Sequence, residues 1–180
     1  TKTIQTIDGE PLIVDEIPQK EGYIFTGWEK DGVPFDSKTP IVEPVTLTAT
    51  FSKEITDYSS VYGVYANGNE RIVLNEDKTA FFIKDGEYTE FSYTVSESGI
   101  LVGYMKGNFT FDQITAGKVV RDGNDYSLEQ GVIVTYKYLD SERKILIKSG
   151  DSAINLKISI DYYLFGGWKQ QGQESLYDFG

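Results

Sequence analysis

Short strand-like apolar runs recur along most of this chain, and several alternate apolar and polar residues with a period of two, the signature of strands with one buried face. Val45, Leu47, Ala49 and Phe51 alternate with Thr46, Thr48 and Thr50. Beyond residue 60, strand-like runs follow at 61–66, 71–75, 79–84, 88–95, 100–105, 109–114, 131–139 and 144–148, separated by Asn-Gly, Asp-Gly and Ser-Gly turns. The segment 115–130 is rich in Gly and Asp and holds only the short apolar pair Val119-Val120. The longest alternation covers 154–165, where Ile154, Leu156, Ile158, Ile160, Tyr162 and Leu164 line one face and Asn155, Lys157, Ser159 and Asp161 the other. No window sustains a helical apolar stripe, which argues against βαβ units and nucleotide sites of the Rossmann type. The pattern predicts a mainly β chain whose larger part is an antiparallel meander, closed as a barrel or stacked as a sandwich.

The first fifty residues carry a denser signal. The stretch 17–32, IPQKEGYIFTGWEKDG, places Tyr23 and Phe25 on one side of an extended segment and Ile24 and Thr26 on the other, with Gly27 marking a bend or bulge before Trp28. The run of Pro18, Gly22, Tyr23, Phe25, Gly27 and Trp28, then Phe35-Asp36, Thr39-Pro40 and a strand closing on Leu47, Ala49 and Phe51, resembles the Listeria–Bacteroides repeat, also called the internalin B-type repeat. That resemblance implies a small β-grasp-like module of a bacterial cell-surface or secreted protein, found in tandem beside adhesion domains. The chain departs from the pattern by beginning after the usual opening strand and by closing on Phe51 in place of Trp. Residues 62–107 resemble the lipocalin-like modules of bacterial surface proteins, with an aromatic-Gly strand and Tyr-rich strands. The expected organisation is a β-grasp-like module at 1–52, a polar linker at 53–60 and an antiparallel β domain at 61–180 with a polar C-terminal tail.

Composition narrows the chemistry. A net charge of −11 argues against nucleic acid, whose binding needs Lys and Arg on phosphates, and against an anionic membrane surface. The absence of Cys removes disulfides and thiolate metal sites, and the absence of His removes the commonest general base and the imidazole ligand. Ser-His-Asp and Cys-His arrangements are therefore excluded. No apolar run is long enough for a membrane span or signal sequence. The chain reads as an excised part of a longer parent, and no enzyme and no cofactor are expected.

Candidate sites are few. Asp122, Asn124 and Asp125 form the densest oxygen-rich loop and are the calcium candidate, but they lack the alternating spacing and distal Glu of an EF-hand, which favours an ordinary turn. Thirteen tyrosines make aromatic platforms for sugars or peptides a second option, with Tyr163, Phe165 and Trp168 as the candidate binding surface. Tyr62, Tyr93 and Tyr136 are assigned to the core. The sequence thus predicts a non-enzymatic extracellular spacer or adhesion module of a bacterial surface protein, whose partners are adjacent modules and a host or matrix glycan or protein. The alternative is a lipocalin-like small-ligand or carbohydrate-binding β domain, with a cavity lined by Val64, Phe81, Tyr93, Val102 and Ile158.

Overall fold

The structure, a computed structural model, describes residues 8–11, 18–36, 38–105, 108–157 and 167–169. Its N-terminal part is a three-stranded antiparallel sheet, ordered β2-β1-β3, of β1 (Tyr23–Lys30), β2 (Val33–Phe35) and β3 (Thr48–Lys53). Gly27, at φ 139°, accompanies a register shift: Phe25 pairs with Phe51 and Gly27 with Thr50, leaving Thr26 as an extra residue. The expected bulge is present, and it has a consequence for packing. It brings Phe25 and Trp28 to one face of the sheet, where their rings meet edge to face at 5.2 Å.

Eight strands follow and close a barrel: β4 (Gly63–Asn67), β5 (Glu70–Leu74), β6 (Thr79–Lys84), β7 (Glu87–Val95), β8 (Ile100–Met105), β9 (Asn108–Thr115), β10 (Lys118–Arg121) and β11 (Asn124–Glu129). Each strand pairs antiparallel with the next, and β11 returns to pair with β4, Leu128 lying opposite Tyr65. Closure removes the exposed edges that an open meander would carry. The meander expectation is met, and the closure is that of a barrel. Two of its strands, β10 and β11, fall in the segment read from sequence as nearly featureless. They form a hairpin because Asp122 and Gly123, at φ 48° and 77°, make the two-residue left-handed turn that suits strand twist.

A hydrophobic cluster fills most of the barrel interior. Tyr65, Ile72, Leu74, Tyr93, Leu101 and Val119 are all within 2% of full burial, and each such side chain stabilises the fold by roughly 1.5–3 kcal/mol. Tyr58, in the 3-10 turn Tyr58–Ser60, plugs one end. Its ring meets Tyr93 edge to face at 5.6 Å, and its hydroxyl donates to Glu54 at 2.5 Å and accepts from the Val95 amide at 3.2 Å. The stretch read as a polar linker is therefore bonded to the barrel. Ile55 N–H donates to Val95 O at 2.9 Å and Glu97 N–H to Lys53 O at 2.8 Å, tying β3 to the turn between β7 and β8.

A second cluster lies outside the barrel wall. Val64, Val73 and Phe81 project outward from β4, β5 and β6 and are covered by the hairpin of β12 (Gly131–Tyr138) and β13 (Ser141–Lys148), through Tyr136, Ile145 and Ile147, and by Ile154 and Leu156. This corrects the cavity lining expected from sequence. Tyr93 points inward, but Val64 and Phe81 face the hairpin, and Val102 shares the outer face with its partner Phe111. Ile158 lies outside the described residues. Residues 154–157 keep the expected alternation, Ile154 and Leu156 buried and Asn155 and Lys157 exposed, yet they form no strand. The remainder of that alternation lies outside the described residues.

Candidate ligand cleft

The end of the barrel opposite Tyr58 has a different interior. Counting by twos from the apolar core, β9 runs from Ile114 to Asp112, β10 from Val119 to Arg121, β5 from Ile72 to Glu70 and β6 from Ala80 to Phe82, so the inward positions turn polar and aromatic. The antiparallel register, Val120 opposite Gln113, sets Arg121 beside Asp112. Arg121 donates through Nε at 2.9 Å and Nη2 at 2.6 Å, both to Oδ2 of Asp112. The guanidinium also lies 5.3 Å from the Phe82 ring centroid and 5.6 Å from that of Phe91, which fixes its plane.

Asp112 is 4% exposed and Arg121 13% exposed at their side chains. Burial pushes the Asp112 carboxyl above its usual value, with the Arg121 hydrogen bond and charge opposing the rise. Oδ1 of Asp112 and Nη1 of Arg121 make no hydrogen bond among the described residues. No buried side-chain polar atom there is enclosed without a partner, and both residues line an open cleft, so these two atoms face that cleft. Beside them the Tyr126 hydroxyl donates to Glu70, whose other oxygen is paired with Lys84 at 2.8 Å. Burial and the Glu70 carboxylate push Tyr126 up to about 12. Lys84, and then Tyr126, hold Glu70 below the usual carboxylate range. At neutral pH this corner is an ionised carboxylate held by a protonated phenol and an ammonium.

The N-terminal sheet supplies the other wall. Phe25, buried in the angle between the two units, meets Phe109 at 5.9 Å and Phe111 at 5.8 Å on the outer face of β9. Trp28, Glu29, Phe35, Asp36 and Lys38 then overhang the barrel mouth, and Lys38 Nζ reaches Asp122 Oδ1 across the gap at 3.9 Å. The cleft measures about 950 Å³, at the upper end of the range of small-molecule sites.

The residues singled out in the sequence are distributed differently. Trp168 is half-buried against the hairpin: its ring meets Tyr136 edge to face at 4.9 Å, and its Nε1–H donates to Leu156 O at 3.0 Å. Tyr163 and Phe165 lie outside the described residues. Asp122 and Asn124 sit on the cleft rim, whereas Asp125 is paired with Lys118 at 3.0 Å. No group of three or more metal-ligating side chains occurs among the described residues. Of the N-terminal motif, Gly27 and Trp28 line the cleft, Ala49 lies opposite Trp28, Phe51 opposite Phe25, and Gly22 opens the strand at φ 73°. Tyr23 is exposed beneath Lys20, whose Nζ is 4.0 Å from its ring centroid, and Leu47 and Pro18 are half-buried beyond the strands.

Sequence reasoning did not reach Glu70, Phe82, Asp112, Arg121 and Tyr126. The available signal was a charged residue at an inward position of two neighbouring strands, Asp112 in FTFDQI and Arg121 in KVVR. The chain matches no protein family, no curated protein and no solved structure. No helix among the described residues is long and apolar enough to cross a membrane.

Proposed function

We propose that this chain is a non-enzymatic binding module whose barrel takes a small ligand at its open end, beneath the overhanging N-terminal sheet. The carrying observation is the buried Asp112–Arg121 pair at the floor of an open cleft of about 950 Å³, with an acceptor and a donor facing the space. A buried ion pair is costly in desolvation and contributes little net stability compared with an apolar filling. Its position at a ligand-sized opening favours recognition. Two of the carboxylates lining the cleft are already engaged, Asp112 by Arg121 and Glu70 by Lys84 and Tyr126, which suits them to holding a ligand. The N-terminal motif supports placing the module in a bacterial surface protein, where ligand capture accords with an adhesion or spacer role among adjacent modules.

The two tryptophans provide the test, since Trp28 lines the cleft and Trp168 packs on the hairpin. In an NMR screen of a diverse fragment library, the indole N–H signals are assigned with Trp28→Phe and Trp168→Phe. Fragments should move the Trp28 signal in a saturable manner and leave the Trp168 signal in place. A library that never moves Trp28, or moves only Trp168, refutes the site.

A further inference from the structure

We infer that the cleft selects a neutral saccharide, a conclusion that rests on the cleft being the binding site. Three other ligand classes compete with it for such a space, and the wall argues against each. An acyl chain needs a tubular cavity continuing into the barrel, but Ile72, Leu101 and Val119 fill the interior below the floor at 0% exposure. A small anion meets Glu29, Asp36 and Asp122 on the roof and rim against Lys38, and at the floor the charge of Arg121 is already neutralised by Asp112. A cation finds those same carboxylates, but it also meets the outward-facing N–H groups of Arg121 beside Asp112.

The floor offers a fixed acceptor, Asp112 Oδ1, and a fixed donor, Arg121 Nη1, on the guanidinium edge turned away from the one that grips Asp112. A vicinal diol satisfies both, donating one hydroxyl proton to the carboxylate and accepting from the guanidinium at the neighbouring oxygen. Both protein groups are held before binding, Arg121 by the Phe82 and Phe91 rings and Asp112 by Arg121, so little ordering is required of them. On the opposite wall Trp28 is steadied by Phe25 and supplies an apolar ring surface of the kind that takes the C–H face of a pyranose.

The test titrates the full chain with neutral mono- to trisaccharides of the gluco, galacto and manno series and their N-acetyl forms. Choline and decanoate serve as the cationic and acyl probes, and the two indole signals report the site. At least one saccharide should move Trp28 in a saturable manner while choline and decanoate do not. Asp112→Asn turns an amide NH₂ toward the hydroxyl donor and should weaken that saccharide about tenfold or more, as expected for losing a hydrogen bond to a charged group. Trp28→Leu, which does not touch the pair, should weaken it comparably; its binding is read by calorimetry, since the reporter indole is gone, and its barrel amide spectrum should be preserved. Choline or decanoate moving Trp28 where no saccharide does overturns the saccharide assignment and leaves the site standing. A saccharide that binds Asp112→Asn and Trp28→Leu as well as the native chain overturns it too. If fragments, saccharides and both other probes all leave Trp28 unmoved, the cleft itself is refuted.

Discussion

Replacing Arg121 by Met removes the positive charge from the barrel floor while keeping a long apolar stem among Phe82 and Phe91. The ring contacts are largely retained, because a thioether beside an aromatic contributes about 0.3–1.5 kcal/mol, much as a guanidinium does. What is lost is the pairing of Asp112, whose side chain is 4% exposed and receives donors at 2.9 and 2.6 Å from Arg121. Removing one partner of a buried pair costs about 3–5 kcal/mol, and access of water to Oδ1 places the expected value near the lower end.

The pH dependence fixes the cause. Burial already raises Asp112 above its ordinary 3.8, and Arg121 is what opposes that rise. In Arg121→Met the folded-state value climbs further. The folded form then binds more protons than the unfolded form from about 3.8 up to that raised value, so stability increases as pH falls through this window and is flat above it. Urea unfolding should therefore show the full deficit at neutral pH and a smaller one near pH 4. The double variant Arg121→Met/Asp112→Leu, which removes both charges, should return to within about 1 kcal/mol of the native chain. A single variant within about 0.5 kcal/mol of native at neutral pH, the level of an ordinary surface change, would refute the reasoning. So would a deficit that does not vary with pH.

Further outcomes follow from packing. Gly99→Ala, at φ +79° with its new Cβ 2.7 Å from the Ile114 carbonyl oxygen, should lose about 1–2 kcal/mol to the left-handed backbone and about 1–3 more to the clash. Gly117→Ala, at φ +81° with nothing within 4 Å, should lose only the first part, and equal urea midpoints for the two would contradict the clash. Phe25→Ala removes a ring that meets Trp28, Phe51, Phe109 and Phe111, at a cost of about 3–5 kcal/mol. Hydrogen exchange should then speed up in β1–β3 and not in β4–β7, and a uniform increase would count against a local joint. Trp168→Ala should lower stability by about 2 kcal/mol, less than the 3–5 of a fully buried Trp, with faster exchange in β12 and β13. An unchanged melting temperature would instead mark Trp168 as a surface group.

Much of the barrel is legible in the chain's local patterns. The apolar runs TAFFIK and ILVGYM coincide with β6 and β8 to the residue, and the Asp-Gly and Asn-Gly pairs mark hairpin turns, because run length and turn chemistry are local properties. The bulge at Gly27 is equally local. β10 and β11 are not legible, since their inward residues include Arg121 and Asn124 and no apolar stripe runs through them. Nor is the inner face of β4–β6, where Val64, Val73 and Phe81 are as apolar as Tyr65, Ile72 and Ala80. Alternation states which residues share a face. When both faces are apolar, the choice falls to whatever covers each one, here the barrel closure on one side and the β12–β13 hairpin on the other. The cleft belongs to the same class: Asp112 and Arg121 become a pair only through the β9–β10 register, and Trp28 reaches the barrel mouth only because Phe25 seats on Phe109 and Phe111. The sequence alone determined most of the strands and their turns, since each of these depends on neighbours along the chain. Closure, inward face and cleft were decided by contacts between distant segments, whose stability depends on the whole fold being in place.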